Sequence, residues 1–353
     1  MKNIAIIGSG TWGVALAMHL SNIGHNVKLW AFMQEEADNI NIERKCKFLP
    51  DVRINDNITC YTDIQKVVEG TDMILHVTPS KFVRETIKKY KDYVTNQPII
   101  MCAKGFEAET LCTLSQIIEQ EMPNSKYGIF SGPSHAEEVS VGIPTAIVIA
   151  SKDEEVRNLV QETFMNEKMR VYTSDDVIGV ELGGALKNII AFCAGIATEI
   201  DLGDNSFAAL ITRGLAEITR LGMAMGGKHD TFYGLSGLGD LIVTCMSEHS
   251  RNRRAGVLIG KGYTMQQAME EDLLCPFHYF GISDVALVNE KNIKARKIDG
   301  RDFNILTGDE RVKHIIEQAN YFGYSGDRVK GLIFCSRIDE SIELHRPYVD
   351  DIH

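Results

Sequence analysis

The stretch from Lys2 to Met18 constrains this chain more than any other. Lys2-Asn3-Ile4-Ala5-Ile6-Ile7 is a short apolar, β-branched run, Gly8-Ser9-Gly10-Thr11-Trp12-Gly13 follows directly, and Val14-Ala15-Leu16-Ala17-Met18 reads as an amphipathic helix. This is strand, glycine turn and helix, with glycines at the G-x-G-x-x-G spacing. The three glycines play separate roles. Gly8 permits the tight turn, Gly10 lets the backbone approach a pyrophosphate, and Gly13 allows the helix to pack close to the strand. Free N–H groups at the helix start would then face the anion. The spacing alone is a weak signal, but its position between a strand and a helix is the context a dinucleotide site requires. The competing reading is a glycine-rich turn with no ligand.

The remainder of the first half supports a sheet around that turn. Asn26 to Trp30 reads as a second strand. Such a strand often ends in an acid that binds the adenosine ribose, or near an arginine that accepts a 2′-phosphate. Here Trp30-Ala31-Phe32-Met33 offers neither, so the choice between NAD and NADP is not readable. Phe32 is a candidate to stack on the adenine, with a packing or surface aromatic as the alternative. Further buried-strand patterns run over Asp72–Val77, Pro98–Ala103, Tyr127–Ser131 and Pro144–Ala150, with helical stretches such as Val83–Tyr90 and Thr110–Gln120 between them. Alternating strands and helices predict a doubly wound parallel sheet. Ligands of such sheets lie outside the carboxyl ends of the strands, where Thr78, Lys104 and Gly132-Pro133-Ser134 all fall. An isolated lysine is usually a solvated charge, but Lys104, just after a buried strand, is placed to meet an anion. His135 reads as structural or superficial.

From Asp175 the period becomes helical, over Val180–Glu199 and again over Phe207–Met225, separated by the turn Asp201–Ser206. Gly183-Gly184 inside the first of these helices costs about 1 kcal/mol per glycine relative to alanine, which close approach of a helix or a ligand would explain. Lys187 lies in an otherwise apolar stretch and must snorkel, pair or react. Partial burial would lower its pKa towards general-base range. Leu235–Leu241 is a glycine-hinged turn with one acid, Asp240. Ser250-Arg251-Asn252-Arg253-Arg254 is a basic, hydroxyl-bearing cluster suited to a phosphorylated ligand, or simply a surface patch at a helix start.

Bulk properties set limits. The 353 residues suffice for two domains with cores of their own. A net charge of −11 argues against a duplex-binding surface. Eight scattered cysteines without a C-x-x-C read as reduced thiols of a cytoplasmic protein, with no metal framework. No apolar run is expected to reach the roughly 18–20 residues of a membrane span, and Met1-Lys2-Asn3 leads straight into a strand without a signal peptide.

Taken in order, these motifs resemble bacterial-type NAD(P)-dependent glycerol-3-phosphate dehydrogenase from Lys2 to about Glu270. The likeness rests on Gly8–Gly13, Lys104-Gly105, Ser131-Gly132-Pro133-Ser134-His135-Ala136, Gly183–Asn188, Gly237-Leu238-Gly239-Asp240 and Ser250-Arg251-Asn252-Arg253. The resemblance implies an oxidoreductase that interconverts sn-glycerol 3-phosphate and dihydroxyacetone phosphate and feeds glycerophospholipid synthesis. It implies Lys187 as proton acceptor, and a substrate held by Lys104, Gly132, Ser134, Lys187, Asp240, Ser250, Arg251 and Asn252. It further implies a cofactor, NAD or NADP, touched by Gly8, Gly10, Thr11, Trp12, Gly13, Phe32, Lys104, Ala136 and Arg251.

The expected architecture is an α/β, doubly wound, mostly parallel Rossmann-like dinucleotide domain over 1–178, followed by an all-α substrate domain over 179–270 that reads as truncated. An atypical segment over 271–353 completes the chain. Residues 273–340, with Val329–Cys335 as a buried strand, resemble a fragment of a superfamily II DEAD/DEAH-like helicase, without any G-x-x-x-x-G-K-[ST] loop. Replacement of the family's last helices leaves a second expectation open: a dinucleotide-binding protein with impaired catalysis. The expected partner is the small phosphorylated substrate, with no nucleic acid and no membrane span, and with a homodimer as an open assembly.

Overall fold

Asn3–Ile7 (β1) forms a strand because four successive apolar residues can be buried on both faces of a sheet. Ile4 and Ile6 point into one core, and Ala5 and Ile7 into the other. The computed structural model describes residues 1–47 and 49–270, with a further backbone pairing at 324–325 and 328–329. Seven more strands join β1: β2 (Asn26–Trp30), β3 (Ile58–Tyr61), β4 (Met73–His76), β5 (Ile99–Met101), β6 (Tyr127–Ser131), β7 (Thr145–Ala150) and β8 (Met169–Ser174). Their order is β3-β2-β1-β4-β5-β6-β7-β8. The expected mostly parallel, doubly wound sheet is therefore present.

One pairing runs the other way: β6 and β7 are antiparallel, Ile129 facing Ala150 and Ser131 facing Val148. The link between them spends its length on one five-residue helix and its flanking turns. The chain thus returns beside β6 as its antiparallel neighbour. Strands β3 and β8 had no sequence expectation. Both are edge strands, and Ile-Thr-Cys-Tyr and Met-Arg-Val-Tyr-Thr-Ser alternate buried and exposed positions, a weaker signal than a continuous apolar run.

The first half contributes helices α1 (Thr11–Asn22), α2 (Gln34–Asp38), α3 (Ile64–Val68), α4 (Val83–Tyr90), α5 (Leu114–Glu121), α6 (Ala136–Ser140) and α7 (Glu154–Phe164). The second half contributes α8 (Val177–Glu199), α9 (Gly203–Ala224), α10 (His229–Phe232), α11 (Asp240–Met246), α12 (Arg251–Gly260) and α13 (Met265–Glu270). Two helix starts differ by about four residues from the sequence reading. Helix α5 starts at Leu114, because Thr113 forms a capping box with Gln116 and Leu111 takes a positive φ of 57°. Helix α9 starts at Gly203, inside the segment read as a turn.

Helix α8 organises the second half. Asp176 caps it by accepting the N–H of Gly179 at 2.9 Å. Its inner face joins Leu182, Leu186, Ile190 and Ala194 to Leu215, Ile218, Phe232, Leu241 and Cys245 in a third core. Crossing with α12 is possible only through glycine: a Cβ at Gly195 would lie 2.0 Å from the Arg253 carbonyl oxygen, and one at Gly256 2.0 Å from that of Phe192. Contrary to expectation, α8 is long and apolar enough to cross a membrane by length and composition alone. However, 72% of its most apolar window is buried within the protein, where that apolarity serves packing.

The chain divides into two units, Met1–Leu274 and Cys275–His353. In the second, Tyr324–Ser325 and Arg328–Val329 pair as a short antiparallel ladder. The strand expected over Val329–Cys335 otherwise lies outside the described residues, as do the remaining expectations for 271–353.

Candidate active site

Four parallel neighbours, β1, β4, β5 and β6, end on the same edge of the sheet. Gly8, Thr78, Lys104 and Gly132 follow those ends. At the usual spacing of about 4.8 Å between strands, the Lys104 strand ends about 10 Å from the glycine turn. The ends of adjacent strands thus bring together what the sequence separates by more than a hundred positions.

The turn itself fits a dinucleotide. Gly8 has φ +130°, and a Cβ at Gly13 would lie 2.0 Å from the Gly8 carbonyl oxygen, so α1 packs directly on the turn. A Cβ at Gly10 would meet nothing within 4 Å, which leaves open space in front of the helix start. The N–H groups of Thr11, Trp12 and Gly13, in the first turn of α1, have no intrahelical acceptor and can meet an anion. Phe32 is 73% exposed, edge-on to Trp30 at 6.3 Å between ring centroids, with the Lys89 ammonium 4.9 Å from its own centroid. An acid also reaches the turn that the strand-end rule had not located: Glu36 of α2 accepts a hydrogen bond from the Ser9 hydroxyl at 2.7 Å.

The second part of the site is a carboxylate shared by two lysines. Asp240 begins α11 and is 1% exposed. Its Oδ2 accepts a hydrogen bond from Lys104 Nζ at 2.6 Å, and its Oδ1 one from Lys187 Nζ. Lys104 also donates to the Gly132 carbonyl at 3.2 Å, and Ser134 donates to that same oxygen at 3.1 Å. Lys187 further donates to Thr244 Oγ1 at 2.7 Å, while the Thr244 hydroxyl donates to the Asp240 carbonyl at 2.6 Å. Thr244 was missed at the sequence level; its signal was the i,i+4 spacing from Asp240 on one short helix.

Gly183 and Gly184 are explained by this assembly. A Cβ at Gly183 would lie 2.6 Å from the Ser236 carbonyl oxygen, and one at Gly184 2.6 Å from Ser131 Oγ and 3.4 Å from Lys104 Cδ. Ser131 Oγ is buried and has no hydrogen-bond partner.

Lys187 is 6% exposed. Burial, and then the positive charge of Lys104, bring its pKa down to about 7, against the opposing pull of Asp240. We expect Asp240→Asn to lower kcat at least about a hundredfold, since buried Lys187 and half-buried Lys104 lose their shared anion. The sign of the accompanying pH change follows from the same balance: without the carboxylate that raises it, the Lys187 pKa falls further. The pH–rate limb assigned to Lys187 should move below its wild-type position; a limb that moves upward contradicts this geometry.

Other expected residues lie at the edges. Ala136 opens α6 and is 9% exposed. His135 is half-buried and tilted against His249 at 5.8 Å, and desolvation lowers its pKa. Ser250 caps α12 by accepting the Arg253 N–H at 3.3 Å. Arg251, its first residue, is exposed, and Asn252 is half-buried. The structure does not bring Arg251 onto the lysine pair through any direct bond; it stands at a helix start.

The sequence matches the family model of the NAD-dependent glycerol-3-phosphate dehydrogenase N-terminus over residues 3–157 and that of its C-terminus over residues 176–314. The chain belongs to the NAD-dependent glycerol-3-phosphate dehydrogenase family. It is 50% identical over 275 residues to glycerol-3-phosphate dehydrogenase [NAD(P)+] of Fusobacterium nucleatum, covering 77% of this chain and 82% of that relative. A Clostridium perfringens enzyme of the same name is 49% identical over 273 residues, with coverage of 77% and 82%. Among solved structures, glycerol-3-phosphate dehydrogenase of Coxiella burnetii aligns with a TM-score of 0.75 at 31% identity, over 99% of this chain and 95% of its own.

These matches correct the reading of the C-terminal third. The family model continues to residue 314, well past the expected end of the likeness near 270, and the helicase-like resemblance over 273–340 is not borne out. A short apolar strand pattern flanked by charged residues is common to many buried strands and carries little family information. The dehydrogenase reading is thereby favoured over a binding protein without catalysis.

Proposed function

We propose that this chain interconverts sn-glycerol 3-phosphate and dihydroxyacetone phosphate, with Lys187 as the group that takes and returns the hydroxyl proton. The observation that carries this reading is the sharing of buried Asp240 between Lys187 and Lys104, beside the strand ends of a dinucleotide sheet. When bound, the nicotinamide dinucleotide supplies the hydride acceptor or donor for C2 of the triose.

The protein's own groups account for the proton. A neutral Lys187 amine can donate its two N–H bonds to Asp240 and Thr244, which leaves one lone pair for the substrate hydroxyl. Thr244 spends its own hydrogen on the Asp240 carbonyl, so its oxygen can only accept from Lys187. The amine orientation is thus fixed before substrate arrives, which reduces the reorganisation the reaction requires. With a pKa of about 7, Lys187 can act as base in alcohol oxidation and, once protonated, as acid in ketone reduction.

Substrate placement falls to the surrounding groups. Lys104, Gly132 and Ser134 line the strand-end side, and Ser250, Arg251 and Asn252 offer a helix start and a guanidinium for the phosphate. Binding the remote phosphate positions C2, so a substrate lacking it should lose kcat as well as affinity. Gly8, Gly10, Thr11, Trp12 and Gly13 would hold the pyrophosphate, and Phe32, Lys104, Ala136 and Arg251 would be further contacts of the bound cofactor.

The test is direct. Dihydroxyacetone phosphate with NADH or NADPH should deplete the reduced cofactor, and the product should be sn-glycerol 3-phosphate by enzymatic assay. Absence of turnover with both cofactors across neutral pH, in protein that binds NADH, would reject the proposal. Unphosphorylated dihydroxyacetone should react at least about a hundredfold more slowly in kcat/KM if the phosphate is the handle.

A further inference from the structure

Glu181 lies on α8 about 9 Å of helix rise before Lys187, and it is 6% exposed. Its Oε1 accepts the backbone N–H of Ser115 at 2.9 Å, and its Oε2 accepts the Ser115 hydroxyl at 2.5 Å. Ser115 is the second residue of α5, and Thr113, the cap of that helix, has its hydroxyl 2.9 Å from that of Ser115. The carboxylate therefore sits at the positive end of α5. Burial raises its pKa, while the Ser115, Thr113 and Leu114 donors favour the anion; Tyr127 is the nearby titratable group that feels its charge.

The segment that Glu181 grips also closes the loop bearing Lys104. Phe106, two residues beyond Lys104, bridges to Thr113, and the Glu107 N–H donates to the Cys112 carbonyl at 3.0 Å. From α4, Arg84 clamps both oxygens of Glu107 at 2.7 Å. On the helix side, the loop already stands at contact distance: Gly184 has no room for a Cβ between Ser131 Oγ and the Lys104 stem.

We infer that Glu181 is a positioning residue: by tying the start of α5 to α8 it sets how closely the Lys104 loop approaches the helix of Lys187, and so how the two ammonium groups share Asp240. This rests on the reading of Lys187 as the proton-transfer group. The charged and titratable groups around Lys187 are Lys104, Asp240, His135 and Cys245. After burial, Lys104 is the strongest influence holding the Lys187 pKa down. If the loop retreats, Asp240 serves Lys187 alone and the ammonium form is favoured. The residue on which proton transfer depends is then tuned by a carboxylate that touches neither substrate nor cofactor.

The experiment is the pH dependence of kcat and KM for glycerol 3-phosphate oxidation by wild type, Glu181→Gln, Glu181→Asp and Ser115→Ala. In Glu181→Gln and Ser115→Ala the ascending limb should move up by about one pH unit, with kcat at pH 7 down about fivefold and the high-pH plateau and NADH affinity within about twofold of wild type. Glu181→Asp, which keeps the charge on a shorter stem, should fall between them and wild type. A wild-type limb near 7 that stays in place in both variants overturns the inference and leaves the Lys187 reading intact. A wild-type profile without that limb overturns both. Should Glu181→Gln fail to fold, Ser115→Ala, which loses a single hydroxyl, decides the question by the same criterion.

Discussion

Lys187→Met will abolish turnover while leaving cofactor binding in place. The methionine fills nearly the same volume on an apolar face of α8, so the third core, built from Leu186, Ile190 and their neighbours, keeps its packing. What disappears is the one nitrogen that Asp240 and Thr244 hold in position. General acid–base groups contribute about 10²–10⁴ in rate, and we expect a loss of about 10³ or more in kcat in both directions. NADH titration should give a dissociation constant within about threefold of wild type, since the glycine turn lies on another element. Removing the nitrogen leaves Asp240 Oδ1 and Thr244 Oγ1 without that donor, so the variant should lose about 1–3 kcal/mol in urea unfolding while remaining folded. A variant that retains more than about a tenth of wild-type kcat would assign the proton to another group.

The second large effect separates the two glycines of the opening turn. At Gly13, an added methyl would fall 2.0 Å from the Gly8 carbonyl oxygen, against backbone that cannot rotate away. Gly13→Ala must push α1 off β1 and should cost about 3 kcal/mol, a large part of the roughly 5–15 kcal/mol that holds a typical domain together. At Gly10 the added Cβ meets nothing within 4 Å, and φ of −69° suits alanine. Gly10→Ala should therefore change stability by less than about 0.5 kcal/mol, yet weaken NADH binding at least about tenfold by occupying the space in front of the helix start. Urea unfolding and NADH titration on both variants check the pair. Equal losses of stability would show that the turn is a packing device and not a cofactor cradle.

Much of this fold was legible because its signals are local. A β-branched run before Gly8, a glycine spacing fixed by sterics, and buried strands at Met73–His76, Ile99–Met101 and Tyr127–Ser131 each follow from a few adjacent residues. Lys104 was legible as a strand-end residue for the same reason. What escaped depends on distant partners. The reversal of β7 and the edge strands β3 and β8 are settled by pairing between segments far apart in the chain or by which neighbour remains unpaired. Glu181 carries no local signal, and only the arrival of Ser115 from 66 positions away gives it a partner. Thr244 likewise acquires meaning only once Lys187 lies across from α11. The apolarity of α8 is itself ambiguous, since a helix surrounded by protein and a helix surrounded by lipid can share one composition.

The cysteine pattern fits the same chemistry. Among the described residues no disulfide is formed, and burial raises the thiol pKa of Cys102 and Cys245, the latter to about 12, which keeps these sulfurs protonated beside a site that exchanges protons.

The most direct test of the account is the pH dependence of kcat for sn-glycerol 3-phosphate oxidation at saturating cofactor, with wild type and Lys187→Met measured side by side. The account predicts that wild-type kcat climbs with a midpoint near 7, as the Lys187 ammonium gives up its proton, and that the residual rate of the variant shows no such climb. A climb of the same midpoint in the variant, or a wild-type rate flat through neutrality, would contradict it.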